Sequence, residues 1–304
     1  MPMTLIEHAK TVEDELHRGV IETFARSSPI LEHLPFDDIE GNSYTYVQEE
    51  ALPGIAFRGI NEAYSESVGI LNPVTEKLKI MGGDADTDKF FKRTGAKSVV
   101  DRRATDIEMK AKSAALYFTK VFFDGDENSD VKEFDGLNKR LAGNQVITAG
   151  ANGANLDDIM LQQLIDAVDG IPDQLLMGKK MRRQVYNLAK NTSILTIDKD
   201  EFGRTIERYA GIPIGIIEKD NSNSVILDFD ETQGSSNETG SIYAVKYGSY
   251  SYIAGLQSQP LEGRDLGEID EKPVLRYRIE WDITIAMFHP RCASRLKGVT
   301  AAVS

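Results

Sequence analysis

The residues that could do chemistry are few and scattered. The histidines, His8, His17, His33 and His289, have no partner at a spacing typical of metal ligands or of a catalytic pair. Cys292 is the single cysteine, and His289 is its only neighbour of this kind. A cysteine nucleophile also needs a group that orients its base, and the sequence offers no third member. The pair therefore does not predict a catalytic site.

One acidic stretch resembles a calcium-binding loop. Four oxygen-bearing side chains stand at alternate positions, as in D-x-[DN]-x-[DN]-G: Asp124, Asp126, Asn128 and Asp130. The position of the turn glycine holds Ser129, and that of the bidentate glutamate holds Asp135. Because both key positions differ, these residues are weak calcium candidates, and a solvated acidic turn is the alternative interpretation.

Motifs for nucleotide, zinc and acyl-transfer chemistry are absent from the sequence. Residues 95–98 lack the first glycine of a P-loop, and no HExxH, GxSxG or GxGxxG occurs. Asp228, Asp230 and Glu231 bring carboxylates together, but they belong to a Gly- and Ser-rich segment over 228–240 that predicts a solvated loop. The sequence therefore predicts no catalytic residue, no cofactor and no enzymatic activity.

Composition excludes several classes of partner. The 304 residues carry a formal net charge of −13, whereas phosphate neutralisation needs clustered Lys and Arg. No segment approaches the roughly 18 consecutive apolar residues of a membrane span, and acidic residues near the N-terminus replace the basic run of a signal peptide. One cysteine fits a reducing compartment. We expect a soluble protein made in the cytoplasm, without membrane or sequence-specific nucleic-acid binding.

The element that organises the chain is a long amphipathic helix predicted over 97–123. Its apolar residues recur at i, i+3, i+4 and i+7, for example at Ile107, Ala111, Phe118 and Phe122. A helix is also predicted over 4–24. A strand over 275–288 alternates apolar and polar residues strictly, which predicts one face on a core and one in water. The fold class is α+β.

A long hairpin is predicted between the first helix and the long helix. Residues 42–49 and 74–81 read as strands, and about 25 residues without periodicity separate them. This connection carries apolar side chains that a partner would have to cover: Leu52, Ile55, Phe57, Ile60, Tyr64 and Ile70. A buried irregular loop is the alternative. A short helix is predicted over 84–93.

The middle third alternates short helices and strands, with a boundary in the Gly- and Asn-rich segment 148–155. Strands are predicted over 175–177, 205–208, 212–217, 225–229, 241–246 and 252–256, and a final strand over 293–299. A helix over 179–190 carries Lys179, Lys180, Arg182 and Arg183. In an acidic protein such cations indicate a subunit contact or a solvated face.

The order of these elements resembles the major capsid protein of tailed phages with the Hong Kong 97 fold. Three sequence segments resemble those of the family: LPGIAFRGIN at 52–61, FDGLNKR at 134–140 and YAGIPI at 209–214. The resemblance covers nearly the whole chain. It implies an N-terminal arm (1–41), an extended β-hairpin loop (42–81), and a peripheral domain (82–149 with 265–304) in which the spine helix 97–123 packs on a sheet. It also implies an α/β axial domain (150–264).

The resemblance further implies hexamers and pentamers that form an icosahedral head around double-stranded DNA. The expected subunit-interface residues are Leu52, Phe57, Arg58, Asn61, Tyr64, Lys179, Arg182 and Arg183. Expected partners are other copies of the chain, a portal and a possible decoration protein. Since no charged helical prodomain precedes the arm, the resemblance implies that scaffolding is supplied by a separate protein or is not needed. The protein would reside in the virion. An encapsulin-type compartment and a soluble α+β enzyme are the alternatives.

Overall fold

The computed structural model describes residues 4–5, 15–94, 96–190, 194–199 and 205–301. Residues 6–14 of the helix predicted over 4–24, including His8, lie outside the described residues. The helices are α1 (Glu15–Arg26), α2 (Pro29–His33), α3 (Lys89–Thr94), α4 (Ala96–Asp124), α5 (Leu137–Arg140), α6 (Asp158–Asp166) and α7 (Lys179–Ala189). Among the described residues, no helix combines the length and apolar character that crossing a bilayer requires.

The described strands fall into three sheets. They are β1 (Phe36–Asp38), β2 (Ser43–Ala51), β3 (Ile70–Lys77), β4 (Lys79–Asp88), β5 (Val146–Thr148), β6 (Gln174–Gly178), β7 (Leu195–Lys199), β8 (Thr205–Tyr209), β9 (Ile212–Ile217), β10 (Glu231–Gln233), β11 (Ser236–Val245), β12 (Ile253–Gln257), β13 (Glu262–Glu268), β14 (Val274–Met287) and β15 (Ala293–Thr300).

Strand β14 is the centre of a five-stranded sheet. Along one edge it pairs with β4 over Val274–Ile283; along the other it pairs first with β13 and then with β12, all antiparallel. Strand β1 adds to β12 in parallel. The strong alternation of the sequence thus marks the strand that holds this sheet together.

The long helix α4 lies across the five-stranded sheet. Its periodic residues Ile107, Ala111, Ala115, Phe118 and Phe122 are buried, and they share one core with α1, β4 and β14. The helix predicted from the 3.6-residue period is therefore confirmed, one residue longer at each end. A helix of 29 residues extends about 43 Å.

The second sheet has eight strands, in the order β5-β15-β11-β6-β9-β8-β7, with β10 paired to β11. Helices α6 and α7 contribute Leu161, Leu164, Met181 and Val185 to a separate buried cluster against this sheet. Strand β6 is buried along its whole length, as predicted for 175–177, whereas β9, which pairs with it in parallel, is only partly buried. Pro213 was predicted to mark an edge position, but β9 lies between β6 and β8.

The two sheets exchange strands across residues 264/265, the expected boundary between the axial and peripheral domains. Strand β12 lies before that boundary but pairs with β14, with Gly255 opposite Ile285. Strand β15 lies after it but pairs with β11 in the other sheet, with Tyr243 opposite Arg295. Membership in a sheet depends on pairing between distant segments, which a single division of the chain does not capture.

Three local predictions are wrong in part or in full. Of the helix predicted over 84–93, the second half forms as α3, whereas residues 84–88 continue β4, where Asp84 and Asp86 pair with Arg278 and Arg276 on β14. Residues 231–245 form a hairpin, β10 and β11, where a loop was predicted to extend to 240. Residues 225–229 make only one isolated bridge, from Val225 to Lys219, instead of a strand.

Candidate functional site: an exposed apolar loop on a hairpin

Strands β2 and β3 form a two-stranded sheet of their own. Their pairing runs from Ser43 opposite Lys77 to Ala51 opposite Ile70, so residues 52–69 form the loop at the tip. A hairpin was predicted here with strands over 42–49 and 74–81. Its second strand instead covers Ile70–Lys77, and residues 79–81 belong to β4 of the five-stranded sheet. We call residues 52–69 the tip loop.

The tip loop carries its apolar side chains in solvent. Relative to full exposure, Phe57 is exposed by 108%, Ile55 by 97% and Ile60 by 94%. The same loop exposes Leu52, Tyr64 and Val68. The alternative interpretation, a buried irregular loop, is therefore wrong for the isolated subunit. Sequence reasoning missed Val68, although an apolar residue between Ser67 and Gly69 in the same segment was a sufficient signal.

The loop is held in shape by its own polar contacts. The backbone N–H of Gly54 donates to Ser67 Oγ at 2.7 Å, and that of Gly59 donates to Glu62 Oε2 at 2.7 Å. Arg58 donates to the Glu62 carbonyl at 3.2 Å and lies 5.0 Å above the Tyr64 ring. These contacts order the chain without covering the apolar side chains, so the loop presents a preformed surface.

Exposure of this kind is unfavourable unless a partner covers it. Burying one Ile, Leu or Phe side chain contributes about 1.5–3 kcal/mol. Large contiguous apolar patches on soluble proteins mark interaction sites, whereas single exposed apolar residues are common. Six such residues on one loop therefore favour a binding surface.

The cations predicted to contact another subunit are mostly paired within this one. Helix α7 places Lys179 Nζ 2.6 Å from Glu218 and Lys180 Nζ 2.7 Å from Asp228. Arg182 lies 3.2 Å from Glu207. Arg183 is exposed. An interface role for Lys179, Arg182 and Arg183 remains a prediction.

The acidic stretch after α4 is used to shape turns. The Asp126 carboxylate accepts from the Asn128 N–H and from Lys139, whose hydrogen bond lowers the pKa of Asp126. Asp130 accepts from the Lys132 N–H at 2.9 Å. Asp124 instead accepts a hydrogen bond from the Asn138 side chain. Partial desolvation of its carboxylate raises the pKa of Asp124 to about 6, although the residue is still in contact with solvent. The calcium candidates thus do not converge on one point.

The other side chains considered for chemistry, His289, Cys292 and Glu231, do not form a common site. His289 Nδ1 accepts from the Arg291 N–H at 3.1 Å, while Cys292 is fully buried and burial raises its pKa to about 12. Glu231 pairs with Arg295 at 2.8 Å. Among the described residues, no group of three or more His, Cys, Asp or Glu side chains is placed to hold a metal ion.

Comparison with known proteins gives structural likenesses at low sequence identity. No family model and no curated protein matches the sequence. The holo-SrpI encapsulin complex from Synechococcus elongatus PCC 7942 is similar with a TM-score of 0.66 and 14% identity, over 90% of this chain and 88% of that chain. A structure from Mycobacterium phage Bobi is similar with a TM-score of 0.61 and 16% identity, over 91% of each chain. The capsid of a native GTA particle is similar with a TM-score of 0.60 and 15% identity, also over 91% of each.

These likenesses establish the fold. The chain has the Hong Kong 97-type capsid fold, a mixed α+β architecture with a long helix laid on a sheet and a hairpin that leaves the body. The resemblance stated from the sequence is therefore confirmed at the level of fold.

Proposed function

We propose that the chain is the subunit of a closed protein shell, and that the shell is the icosahedral head of a tailed phage. The proposed role is structural and includes no catalysed reaction. The observation that carries it is the tip loop, in which Ile55, Phe57 and Ile60 are more than nine-tenths exposed. A hairpin that places apolar residues away from its own core is suited to contacts with neighbouring copies.

Contacts between copies of the chain could form the rings from which such a shell is built. Head-to-tail contacts between identical subunits close into rings when the rotation between neighbours allows it. Hexamers and pentamers of this chain would be such rings. In them, Leu52, Phe57, Arg58, Asn61 and Tyr64 of the tip loop would contact the adjacent copy, with Lys179, Arg182 and Arg183 at a second contact.

Charge fits a container for DNA better than a DNA-binding protein. The net charge of −13 disfavours tight binding to phosphates, so packaged double-stranded DNA could move along the inner wall without adhering to it. A separate scaffolding protein, a portal and a decoration protein are the further partners that this role would involve, with the virion as the site of the mature protein.

An encapsulin-type compartment is the second candidate. The specific observation in its favour is the likeness to the SrpI encapsulin complex, which extends over 90% of this chain. Such a shell would hold protein cargo in place of a genome. An α+β enzyme has no comparable support among the described residues.

The test is to express the chain in bacteria, alone and with a candidate scaffolding protein, and to examine the soluble fraction by velocity sedimentation and negative-stain microscopy. The proposal predicts megadalton closed shells, tubes or capsomer rings. Mass spectrometry of purified particles then separates the two candidates, since a retained cargo protein would favour the compartment. A monomer or dimer under both conditions would contradict a shell-forming role.

A further inference from the structure

A buried ion pair joins the hairpin to the body. Arg140, at the end of α5, donates through both terminal nitrogens to the carboxylate of Glu76 on β3, with Nη2 2.8 Å from Oε2. The two side chains are only 13% and 11% exposed. Burial alone would lower the pKa of Arg140. The hydrogen bond and the negative charge of Glu76 together outweigh this effect, so the pKa of Arg140 lies above its ordinary value.

Neighbouring groups extend this contact into a network. Tyr46 on β2 lies with its hydroxyl 3.4 Å from Glu76 Oε1, and this hydroxyl also accepts the Met287 N–H at 3.2 Å. Gln48 donates to the Met287 carbonyl. Both strands of the hairpin are thus connected to the body by directional polar contacts, at the end of β14 and at α5.

Helix α5, which carries Arg140, is anchored to the rest of the body. Leu137 of α5 is fully buried, and the Gly136 N–H donates to the Gly125 carbonyl at 2.8 Å, which ties α5 to the end of α4. The base of the hairpin packs Tyr46 on Phe288 of the body. Beside this contact an open cleft of about 270 Å³ separates Tyr46 and Val74 of the hairpin from Arg140 and Leu141 of the body, next to the ion pair. The hairpin therefore has space to change direction if the pair is released.

A small change of direction at the pair is amplified along the hairpin. Ile70 lies six residues from Glu76, about 20 Å along an extended strand. A tilt of about 10° at Glu76 would displace Ile70 by about 3–4 Å on this strand geometry, and the tip loop beyond it by more. Displacements of this size decide whether apolar side chains meet a neighbouring surface.

We propose that the Glu76–Arg140 pair is a latch that fixes the direction of the hairpin and, through it, the curvature of the assembled shell. The second part rests on the proposed function. Glu76 and Arg140 are positioning residues: they act through the hairpin and need no contact with a neighbouring copy.

The test replaces both charges together, because a single substitution would leave a buried charge without a partner. The variant is Glu76→Leu with Arg140→Met, in which apolar groups fill the same space and the fold is retained. A matched control removes the paired charges of Asp86 and Arg276, which join β4 to β14 away from the hairpin, as Asp86→Leu with Arg276→Met.

The first readout is a distance in the unassembled subunit. Spin labels on cysteines introduced at Asn72 in β3 and at Asn237 on the body report the direction of the hairpin, since both positions are exposed and Cys292 is buried. The latch predicts a narrow distance distribution in the wild type and in the control, and a distribution at least twofold broader in the Glu76/Arg140 variant. An unchanged narrow distribution in that variant would overturn the latch.

The second readout is the diameter of assembled particles. We expect one diameter from the wild type and the control, and several diameters or tubes from the Glu76/Arg140 variant. Shells of wild-type diameter from that variant would overturn the link to curvature. A chain that never assembles would contradict the proposed function, whereas the label distances would still decide the latch.

Discussion

Phe24 on α1 packs edge to face on Trp281 of β14, with ring centroids 5.2 Å apart and planes at 84°. Phe36 and Phe118 contact the same indole at 5.0 and 5.8 Å. One side chain thus joins the N-terminal helix, strand β1, the long helix and the central strand. The indole N–H is also satisfied, since it donates to Gln257 Oε1 at 2.9 Å.

Replacing this indole should destabilise the subunit. Trp281 is 2% exposed, and truncation of a buried aromatic residue to Ala costs about 3–5 kcal/mol of unfolding free energy. Denaturant unfolding of the unassembled Trp281→Ala variant measures this loss.

Phe57→Ala is the matched aromatic control for Trp281→Ala. Because Phe57 is fully exposed, its removal should change the unfolding free energy by less than about 0.5 kcal/mol while impairing assembly. Equal losses of stability in the two variants would contradict the assignment of Trp281 to the core and Phe57 to an interface.

A charge on the buried face of the long helix should prevent folding. Ala111 is fully buried on the face of α4 that packs on the core, so Ala111→Asp would place a carboxylate there without a partner, at a cost of about 3–5 kcal/mol. Met109→Asp, two residues away on the exposed face, should leave thermal stability nearly unchanged. Unchanged stability of Ala111→Asp would mean that the helix faces are misassigned.

Cys292 should be unreactive in the folded subunit. Burial raises its pKa to about 12 from an ordinary value of 9.0 and removes it from contact with reagents. A thiol-specific chromogenic reagent at pH 8 should therefore react only at the rate of unfolding, and fully in denaturant. Rapid stoichiometric reaction without denaturant would be the contrary result.

The same pKa difference predicts a loss of stability in alkali. Below pH 9 the thiol is neutral in both states, so it contributes no pH dependence. Between about pH 9 and 12 the unfolded thiol ionises while the folded one stays protonated, so the folded state becomes less stable as the pH rises. The measurement is the unfolding free energy of the wild type and of Cys292→Ser between about pH 9 and 12. Its decrease with pH should be smaller in the variant, because the variant lacks the thiol.

Removing the tip loop should separate folding from assembly. Ala51 and Ile70 are paired, so an Asn-Gly turn in place of residues 52–69 closes the hairpin with its preferred two-residue geometry. We expect a folded monomer with wild-type thermal stability that forms no shell. Shells of wild-type morphology from this variant would show that the loop is dispensable.

Local periodicity in the sequence was enough to predict the central elements. The stripe through Ile107, Ala111 and Phe118 gave the long helix, and the alternation around Trp281 gave β14. The prediction that one face of β14 is in water holds only in part: Arg276 and Arg278 are half-buried, and from Ile283 to Met287 both faces are buried. There the base of the hairpin, including Tyr46, covers the second face.

Contacts between distant segments were beyond the reach of sequence patterns. Glu76 and Arg140 are 64 residues apart, and neither has a spacing that suggests a partner. The exchange of β12 and β15 between the two sheets likewise depends on long-range pairing. The exposed tip loop was predictable, because apolar residues without helical or strand periodicity already indicated a surface in need of a partner.

The most direct test of the central claim is an electron cryo-microscopy reconstruction of particles formed by the wild-type chain. We predict a closed icosahedral lattice in which Ile55, Phe57 and Ile60 of each copy are buried against a neighbouring copy. Particles without closed symmetry, or a closed shell in which the tip loop remains in solvent, would contradict the account.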